Sequence, residues 1–474
     1  MKVYSVNRAK KWLNSFTDYE KTTSYSYTAD YFNLNRIKWI LKKLGQPQDK
    51  FKSIHIAGTK GKGSTAYILA SILKEAKFQV GLYTSPHIVS ETERIQINGE
   101  KITYQEIAEL VSIIAPVVTD LTKKTKYGIP TFFEIYTAIA FLYFARKKID
   151  IGVIEVGMGG RLDATNVINP VVSIITTIGY DHTKELGNSL TSIAQEKAGI
   201  IKENSIVISA SQYSSVDRVI QKQCKIKNAK YFVLASCSGK AKLCRNTFYF
   251  KKLISDINGN TFNFYTSTSL RGCVGATLVA RQLSNFVVEK YYLPLLGEHQ
   301  IINTSLAIAA IKSLPLQIPE NAIRQGLKNI ELSGRLEIVS KKPLIILDGA
   351  HNVESARVLK ECIKKTFKTN KIFLIIAMSS NKDIKGFGNI LCPVASKIIL
   401  TRFNAQRSAN PNKIKEILKK FTRKIVVASD LKSAIEKAYN MLSCNDLLCV
   451  TGSFYIIGEA KKTLKFLPPL LKGD

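Results

Sequence analysis

The sequence predicts an α/β fold of two domains, and three observations carry that prediction. Short apolar strands alternate with helical segments along most of the chain, which is typical of a mostly parallel sheet with helices on both faces. A glycine-rich turn follows the first strand, at residues 58–63. The alternation is interrupted at Ser333-Gly334 and then restarts. We therefore expect a larger domain over residues 1–332, with a P-loop-type sheet, and a smaller, Rossmann-like α/β domain over residues 333–474.

Helices and strands are expected in regular order through the first domain. Val6, Ala9 and Leu13 share one face of the first helix, and residues 150–156 form an apolar run typical of a buried strand. Expected helices span residues 3–15, 34–44, 66–76, 103–118, 130–147, 192–200 and 297–314. Expected strands span residues 53–57, 79–83, 93–97, 150–156, 171–178 and 205–209.

Residues 210–292 have a different pattern, with short alternating runs and a turn at Asn258-Gly259. They predict antiparallel excursions within the first domain. In the second domain, apolar runs predict strands over residues 344–347, 372–377, 397–401, 425–428 and 447–451.

The glycine turn is suited to bind phosphate. Glycines allow a tight bend that aims backbone N–H groups at one point, and the following helix adds its positive dipole end. Lys62 adds a full charge, and Ser64 or Thr65 adds a hydroxyl able to reach Mg²⁺. The strict P-loop pattern is not met, because Ile56 replaces its first glycine and a glycine separates Lys62 from Ser64. The alternative is a turn without a ligand, although a lysine inside the turn has little structural purpose.

Three polar residues lie where predicted parallel strands end, which is where ligands collect in such sheets. Ser85 follows the strand at residues 79–83, Glu155 ends the next apolar run, and His182 follows the strand at residues 171–178. A buried carboxylate such as Glu155 needs a partner such as a hard cation, so Glu155 is a candidate magnesium ligand, and Asp181 and His182 could add an oxygen and a nitrogen ligand. Taken alone, His182 is more commonly a hydrogen-bonded loop residue.

Other charged residues are ambiguous from sequence. Lys197 follows Glu196 on a predicted helix, and this pattern favours a surface salt bridge. Arg335 and Asp348 are consistent with ordinary linker and loop charges as well as with ligand contacts.

The composition is strongly basic, with 69 Lys and Arg against 36 Asp and Glu and a formal net charge of +33. Such a balance suits nucleic acid, a membrane surface or anionic small substrates. The lysines are scattered and form no basic stripe interleaved with aromatic residues, so nucleic-acid binding is not supported. None of the eight cysteines has CxxC spacing, and neither a signal peptide nor a bilayer-spanning run is predicted. We expect free thiols, no membrane partner and a cytoplasmic location.

The chain resembles the folylpolyglutamate synthase/dihydrofolate synthase family of the Mur ligase superfamily. The resemblance runs in order over almost the whole chain. It rests on Ala57-Gly58-Thr59-Lys60-Gly61-Lys62-Gly63-Ser64-Thr65, Thr84-Ser85-Pro86-His87, the segment 155–166, Asp181-His182-Thr183, the segment 196–202, Gly334-Arg335-Leu336-Glu337, Asp348-Gly349-Ala350-His351-Asn352 and Thr451-Gly452-Ser453.

The resemblance implies a Mur ligase-like fold and an ATP-dependent reaction. ATP phosphorylates a pterin-linked carboxylate, and the amino group of L-glutamate attacks the acyl phosphate to form an amide. The implied partners are small molecules: ATP, L-glutamate, and dihydropteroate or a reduced folate. The protein would act as a monomer, with two Mg²⁺ sites.

The resemblance also assigns residues. Thr59, Lys60, Gly61, Lys62, Gly63 and Ser64 would hold the ATP phosphates, and Asn303, Arg335 and Asp348 would contact the nucleotide. Ser85, Glu155 and His182 would bind magnesium, and a carbamylated Lys197 would help to hold a second ion. Thr131, Phe132, Phe133 and Glu134, with Leu162, Asp163 and Ala164, would line the pteroate pocket, to which Asp30 to Phe32 is a further candidate. His351 would lie near the acyl-transfer site.

Three positions depart from the family pattern, since Lys60, Ser333 and Val353 replace an asparagine and two prolines. None of these changes removes a catalytic group, and Lys60 is expected to alter nucleotide affinity. Alternative functions are a peptidoglycan-precursor or cyanophycin-type ligase of the same superfamily, a non-catalytic nucleotide-binding module, and a basic nucleic-acid-binding ATPase. The Thr-Ser-Pro-His and Leu-Asp-Ala-Thr-Asn segments favour the folate branch, and Glu155, His182 and Lys197 together weigh against the last two.

Overall fold

The structure is a computed structural model that describes residues 4–19, 32–237, 246–267 and 286–464. Its elements form two sheets with helices on both faces, so the predicted two-domain α/β fold is confirmed. Within the described residues, no helix has both the length and the apolar character required to cross a bilayer.

The first sheet is mostly parallel. Its strands are β1 (Lys52–Ala57), β2 (Val80–Tyr83), β3 (Ile95–Ile97), β4 (Glu100–Lys101), β5 (Ile151–Glu155), β6 (Val172–Ile175), β7 (Ile206–Ala210), β8 (Lys230–Ser236), β9 (Thr247–Asp256), β10 (Gly259–Ser267) and β11 (Phe286–Leu293). They lie in the order β11-β10-β9-β8-β7-β6-β1-β5-β2-β3-β4. Every pair from β9 across to β2 is parallel, and antiparallel strands extend both edges.

Helices cover this sheet because each presents an apolar face to it. They are α1 (Val6–Leu13), α2 (Asn35–Lys43), α3 (Lys62–Glu75), α4 (Tyr104–Lys124), α5 (Phe132–Arg146), α6 (Thr183–Leu186), α7 (Leu190–Ala198), α8 (Ser214–Ile226), α9 (His299–Ser313) and α10 (Glu320–Lys328). One core packs α3, α9 and α10 on the sheet, and a second core packs α1, α2, α4 and α5. Helix α3 begins at Lys62, four residues before its predicted start, so that its first turn is part of the glycine turn.

The second sheet is smaller. Its elements are β12 (Glu337–Lys341), β13 (Leu344–Asp348), α11 (Val353–Thr366), β14 (Ile372–Ile376), α12 (Ile384–Leu391), β15 (Lys397–Leu400), α13 (Pro411–Leu418), β16 (Ile425–Val427), α14 (Leu431–Tyr439), β17 (Leu447–Thr451) and α15 (Phe454–Leu464). The strand order is β12-β13-β17-β14-β15-β16, and only the β12–β13 pair is antiparallel. Apolar cores fill both faces, as expected for a doubly covered sheet.

The prediction for residues 210–292 was partly wrong. The hairpins joining β9, β10 and β11 are antiparallel as expected, but α8 precedes them and β8 is parallel to both of its neighbours. Val216, Ile220 and Cys224 are the buried residues of α8, and their spacing of four is that of a helix. The helical signal was therefore present, and the short alternating runs that follow it obscured it.

The parallel register brings four functional segments to one edge of the first sheet. Ile56 of β1 lies opposite Glu155 of β5, and Ala57 lies opposite Ile175 of β6. Tyr83 of β2 lies opposite Ile154. The glycine turn, Glu155 and the segments that begin at Thr84 and Thr176 therefore all leave the sheet at the same edge, as the sequence predicts.

Candidate functional site

The glycine turn presents backbone donors at the start of α3. The N–H groups of Thr59 and Lys60 donate to the Thr177 carbonyl at 3.0 and 3.2 Å, which fixes the turn on β6. The first helical hydrogen bond runs from Thr65 N to Gly61 O at 2.9 Å. The N–H groups of residues 62–64 therefore have no acceptor within the helix and, with the helix dipole, form a site for an anion.

Two lysines meet at this turn. Lys62 Nζ donates to the Gly58 carbonyl at 3.2 Å, and Lys197 Nζ donates to the same oxygen at 2.9 Å. Burial lowers the pKa of Lys62, and burial together with the nearby Lys62 charge lowers the pKa of Lys197 to about 7. Two ammonium groups so close repel each other, so this position favours an added anion or a neutral Lys197.

The predicted surface salt bridge of Lys197 is wrong. Lys197 is 4% exposed. Glu196 pairs instead with Arg161, whose Nη2 lies 2.8 Å from the Glu196 carboxylate. The reason is the orientation of α7: successive side chains of a helix point in different directions, so Lys197 faces the turn while the partly buried Glu196 faces Arg161.

Glu155 and Ser85 lie together beside α3. The Ser85 N–H donates to Glu155 Oε2 at 3.1 Å, and Glu155 is 4% exposed. A Cβ built on Gly63 would lie 3.4 Å from Glu155 Oε2 and 3.5 Å from Arg335 Nη2. The carboxylate, the guanidinium and the start of α3 thus converge on one point, and Gly63 leaves the space between them open.

The oxygen atoms of Glu155 and Ser85 are suitable ligands for Mg²⁺, which prefers oxygen ligands. His182 is placed differently. Its side chain is 43% exposed, and its ring nitrogens lie 3.9 Å from the carboxylates of Asp181 and Glu185. Among the described residues, no three His, Cys, Asp or Glu side chains are grouped closely enough to hold a metal. The expected convergence of His182 with Glu155 stays a prediction.

The Asp181 carboxylate stabilises the other side of the turn. It lies 3.4 Å from Lys60 Nζ, and the positive charges of Lys60 and Lys382 hold the pKa of Asp181 below its usual value in spite of burial. Lys60, which departs from the family pattern, is therefore paired in this structure and oriented toward the phosphate-binding edge.

Of the three predicted nucleotide contacts, Asn303 and Arg335 lie beside the turn, and Asp348 lies at the end of β13. Gly61 has φ +89°, and a Cβ there would lie 2.1 Å from Asn303 Oδ1, so the α9 side chain packs directly on the turn. Asp348 ends β13, accepts N–H bonds from Leu336 at 3.0 Å and Ala350 at 2.9 Å, and its pKa is raised to about 6 by burial. The Arg335 guanidinium lies 5.0 Å from the centre of the Phe454 ring.

His351 lies on the second-sheet side of the site. Its Nδ1 lies 2.8 Å from the Gly349 carbonyl, so Nδ1 carries the proton and Nε2 is the acceptor. Burial and the charge of Lys382 lower the pKa of His351 to about 3, which keeps the ring neutral.

The first segment assigned to the pteroate pocket is well ordered by its own contacts. Thr131 and Glu134 form a capping box at the start of α5, and Glu134 also forms an ion pair with Arg36 at 3.0 Å. Phe132 is buried, and Phe133 stacks on Tyr83 with ring centres 5.9 Å apart. Phe133 is therefore the member of this segment whose ring lies along the sheet edge.

The second segment surrounds Asp163, which accepts hydrogen bonds from Met158 N at 2.9 Å and from Thr165 N at 3.0 Å. Leu162 is partly exposed and Ala164 is buried. Of the weaker candidate at residues 30–32, Asp30 and Tyr31 lie outside the described residues.

Comparisons with known proteins agree with this geometry. The Mur ligase middle domain family matches residues 56–311, and the Mur ligase glutamate ligase domain family matches residues 334–454. The dihydrofolate synthase/folylpolyglutamate synthase of Bacillus subtilis is 32% identical over 95% of this chain and 100% of its own length. The chain belongs to the folylpolyglutamate synthase/dihydrofolate synthase family of Mur ligases.

Solved structures of the family have the same fold. The folylpolyglutamate synthase of Mycobacterium tuberculosis, complexed with ADP and AMPPCP, matches with a TM-score of 0.81 and 28% identity over 98% of this chain and 99% of its own. The E. coli FolC in complex with DHPP and ADP matches with a TM-score of 0.79 and 26% identity over 96% of this chain and 97% of its own.

In this Mur ligase, a cleft of about 730 Å³ runs from the phosphate turn between the two sheets. Gly63, Ser85 and Glu155 line it from the first sheet, and Arg335 and Phe454 line it from the second-domain side. The residues that close the site therefore come from both halves of the chain.

Sequence reasoning missed several residues of this Mur ligase that bear on the site. Arg36 holds Glu134, and Lys382 lies within electrostatic range of Asp181 and Lys60. Arg94 is 1% exposed and donates from Nε to His87 Nδ1 at 3.0 Å. Each is a single charge in a segment without a recognisable motif, and only packing brings it to its partner.

Proposed function

We propose that this Mur ligase adds L-glutamate to dihydropteroate, to reduced folates or to both. ATP converts the acceptor carboxylate into an acyl phosphate, the glutamate amine displaces the phosphate, and ADP and phosphate are released. The observation that carries the proposal is the convergence of Gly63 at the start of α3, Glu155 and Arg335 on one cleft, with the Lys62 charge within electrostatic range of Glu155 and Arg335. Such a group of cations and N–H donors stabilises the charge that develops during phosphoryl transfer.

The nucleotide binds on the turn. Thr59, Lys60, Gly61, Lys62, Gly63 and Ser64 surround its phosphates. Asn303 contacts it from α9, while Arg335 and Asp348 contact it from the second domain. Because Lys62 is held by the Gly58 carbonyl, its charge is already in place before ATP arrives.

Ser85, Glu155 and His182 would hold magnesium. A bound ion would supply positive charge that lets the acceptor carboxylate approach the γ-phosphate. Movement of the exposed His182 ring toward Glu155 would complete this set of ligands.

Lys197 is carbamylated and helps to hold a second magnesium ion. Its buried amine has a pKa near 7, so a large fraction is neutral at physiological pH and able to react with CO₂. The carbamate would replace a repelled ammonium by an anion beside Lys62. Incubation with ¹³C-bicarbonate should give a carbamate resonance in the parent that is absent from Lys197→Ala, and no such resonance in the parent would contradict the assignment.

The pterin-bearing substrate binds at the edge of the first sheet, beside two segments. These are Thr131, Phe132, Phe133 and Glu134, and Leu162, Asp163 and Ala164. The ring of Phe133 offers a stacking surface, and the capping box keeps the segment rigid. His351, with an acceptor at Nε2, lies near the acyl-transfer site, where it orients the glutamate amine.

We propose that the domain boundary falls between residues 332 and 333, that the protein acts as a monomer and that it works in the cytoplasm. The buried free thiols of Cys224, Cys362, Cys392 and Cys449 support a reducing compartment.

The proposed function is tested by ADP release from purified protein. Release should require L-glutamate, Mg²⁺ and either dihydropteroate or tetrahydrofolate, and the product should be heavier by one glutamyl residue. Lys62→Met should lower kcat by about 100-fold or more because it removes a fixed charge from the transition state. ADP release that does not depend on glutamate would overturn the proposal, and the two acceptors separate the synthase activity from polyglutamylation.

A further inference from the structure

The segment at residues 85–90 connects the magnesium site candidate to the second domain. At one end, the Ser85 N–H donates to Glu155 Oε2 at 3.1 Å. Three residues later, Ile88 packs against the core of the second sheet, in which Ile457 of α15 is fully buried. The same short segment therefore contacts both halves of the molecule.

The contact with the second domain is a close approach of two backbones. A Cβ built on Gly458, in α15, would lie 2.0 Å from the Ile88 carbonyl oxygen and 3.0 Å from its carbon. A Cβ on Gly334 would lie 3.0 Å from Ile457 and 3.3 Å from Ile88 Cδ1. Gly458 cannot carry a larger residue unless the 85–90 segment and α15 move apart, whereas at Gly334 the Ile457 and Ile88 side chains would have to shift by a few tenths of an ångström.

The segment is held tightly along its own length. The Glu93 carboxylate accepts the N–H groups of Ile88 at 2.8 Å and Val89 at 3.2 Å. Arg94 Nε donates to His87 Nδ1 at 3.0 Å. These bonds hold residues 87–89, and only Pro86 separates them from Ser85, so we expect a shift of Ile88 to reach Ser85.

We propose that Gly458 and Ile88 are positioning residues that couple the docking of α15 to the placement of Ser85 beside Glu155. The divalent-cation site is then complete only when the second domain is docked on the 85–90 segment. The effect of this coupling on catalysis rests on the proposed function. The coupling itself is the means by which the second domain controls the metal site of the first.

The test is Gly458→Ala, measured by Mn²⁺ binding to the ADP complex and by steady-state kinetics. Alanine is favourable inside a helix, so any loss comes from the contact with Ile88. We expect Mn²⁺ affinity to fall roughly 10-fold and kcat to fall by about 10- to 100-fold, as for a catalytic group displaced by about 1 Å. ADP affinity without a divalent ion should fall much less than Mn²⁺ affinity, because the α3 turn that binds the phosphates belongs to the first domain.

Gly326→Ala is the matched control. Gly326 also lies in a helix against backbone, since a Cβ there would lie 2.5 Å from Ile72 Cα, but the contact is within the first domain. It should lower stability and leave Mn²⁺ affinity at the parent value. Ile88→Ala loosens the same contact without a clash and should also lower Mn²⁺ affinity. It provides the test if Gly458→Ala does not fold.

Parent-like Mn²⁺ affinity in folded Gly458→Ala or in Ile88→Ala would overturn the coupling, as would an equal loss in Gly326→Ala. Failure of the proposed function is distinguishable, because it would be seen as an inactive parent, whereas Mn²⁺ binding reports on the coupling without catalysis.

Discussion

Lys60 shows how one residue can change a phosphate site without removing a catalytic group. It stands where the family commonly has asparagine, and its ammonium lies 3.4 Å from Asp181. The pair orients the lysine at the rim of the turn, where ATP would arrive. The side chain is 32% exposed, so its charge acts mainly on the incoming nucleotide and little on folding.

Lys60→Asn should therefore raise the KM for ATP by roughly 3- to 10-fold, because a cation near the phosphates is lost, while kcat changes less. Lys50→Asn, at an exposed lysine away from the turn, is the control for net charge. An unchanged KM in Lys60→Asn would end the idea that this lysine contributes to nucleotide affinity.

His55 is a buried residue of β1 that makes the stability of the protein depend on pH. It is fully buried, its Nε2 lies 2.8 Å from Thr165 Oγ1, and burial lowers its pKa from 6.5 to about 3. Between those values the unfolded chain binds a proton that the folded chain does not. Stability therefore falls as the pH is lowered from 6.5 toward 3.

We expect His55 to contribute a slope of about 1.4 kcal/mol per pH unit to the free energy of unfolding within this window. His55→Gln should reduce the slope by about that amount, whatever its effect at neutral pH. Urea unfolding at several pH values between about 4 and 7 measures it, and parallel curves for the parent and the variant would contradict the assignment.

At the scale of elements, the β1–turn–α3 unit is the part that sequence defines best. Its glycines, lysine and hydroxyl residues follow an apolar strand, so the strand, the turn and the phosphate-binding edge are all predictable. The burial of Lys197 could not be predicted, because it depends on how α7 is rotated against the turn. The same holds for Arg36 with Glu134 and for Gly458 with Ile88, where the partners are distant in sequence.

Gly61 tests the turn as an element. It has φ +89°, and a Cβ there would lie 2.1 Å from Asn303 Oδ1. Gly61→Ala should weaken ADP binding by about 10-fold or more, because the turn must move away from α9.

Gly45→Ala is the matched control for Gly61→Ala. Gly45 has φ +78° and no atom within 4 Å of the Cβ position, so its variant has the same backbone strain without a clash. It should cost about 1–2 kcal/mol of stability and leave ADP affinity unchanged. Equal ADP affinities in the two variants would contradict the prediction that the contact between the turn and Asn303 matters for ADP binding.

At the scale of the molecule, two sheets provide different parts of one site. The first sheet supplies Gly63, Ser85 and Glu155 to the shared cleft, and the second domain supplies Arg335 and Phe454. A site divided in this way can exclude water only when the two parts are together, which protects an acyl phosphate from hydrolysis. The sequence predicted the two domains, but the contacts between them depend on tertiary packing that no local pattern encodes.

The most direct measurement is a crystal structure of the protein with a non-hydrolysable ATP analogue and Mn²⁺, located by anomalous scattering. We expect the analogue's phosphates on the N–H groups of Lys62, Gly63 and Ser64, and a Mn²⁺ ion bound to the Glu155 carboxylate. Phosphates bound away from this turn, or metal ions that do not contact Glu155, would contradict it.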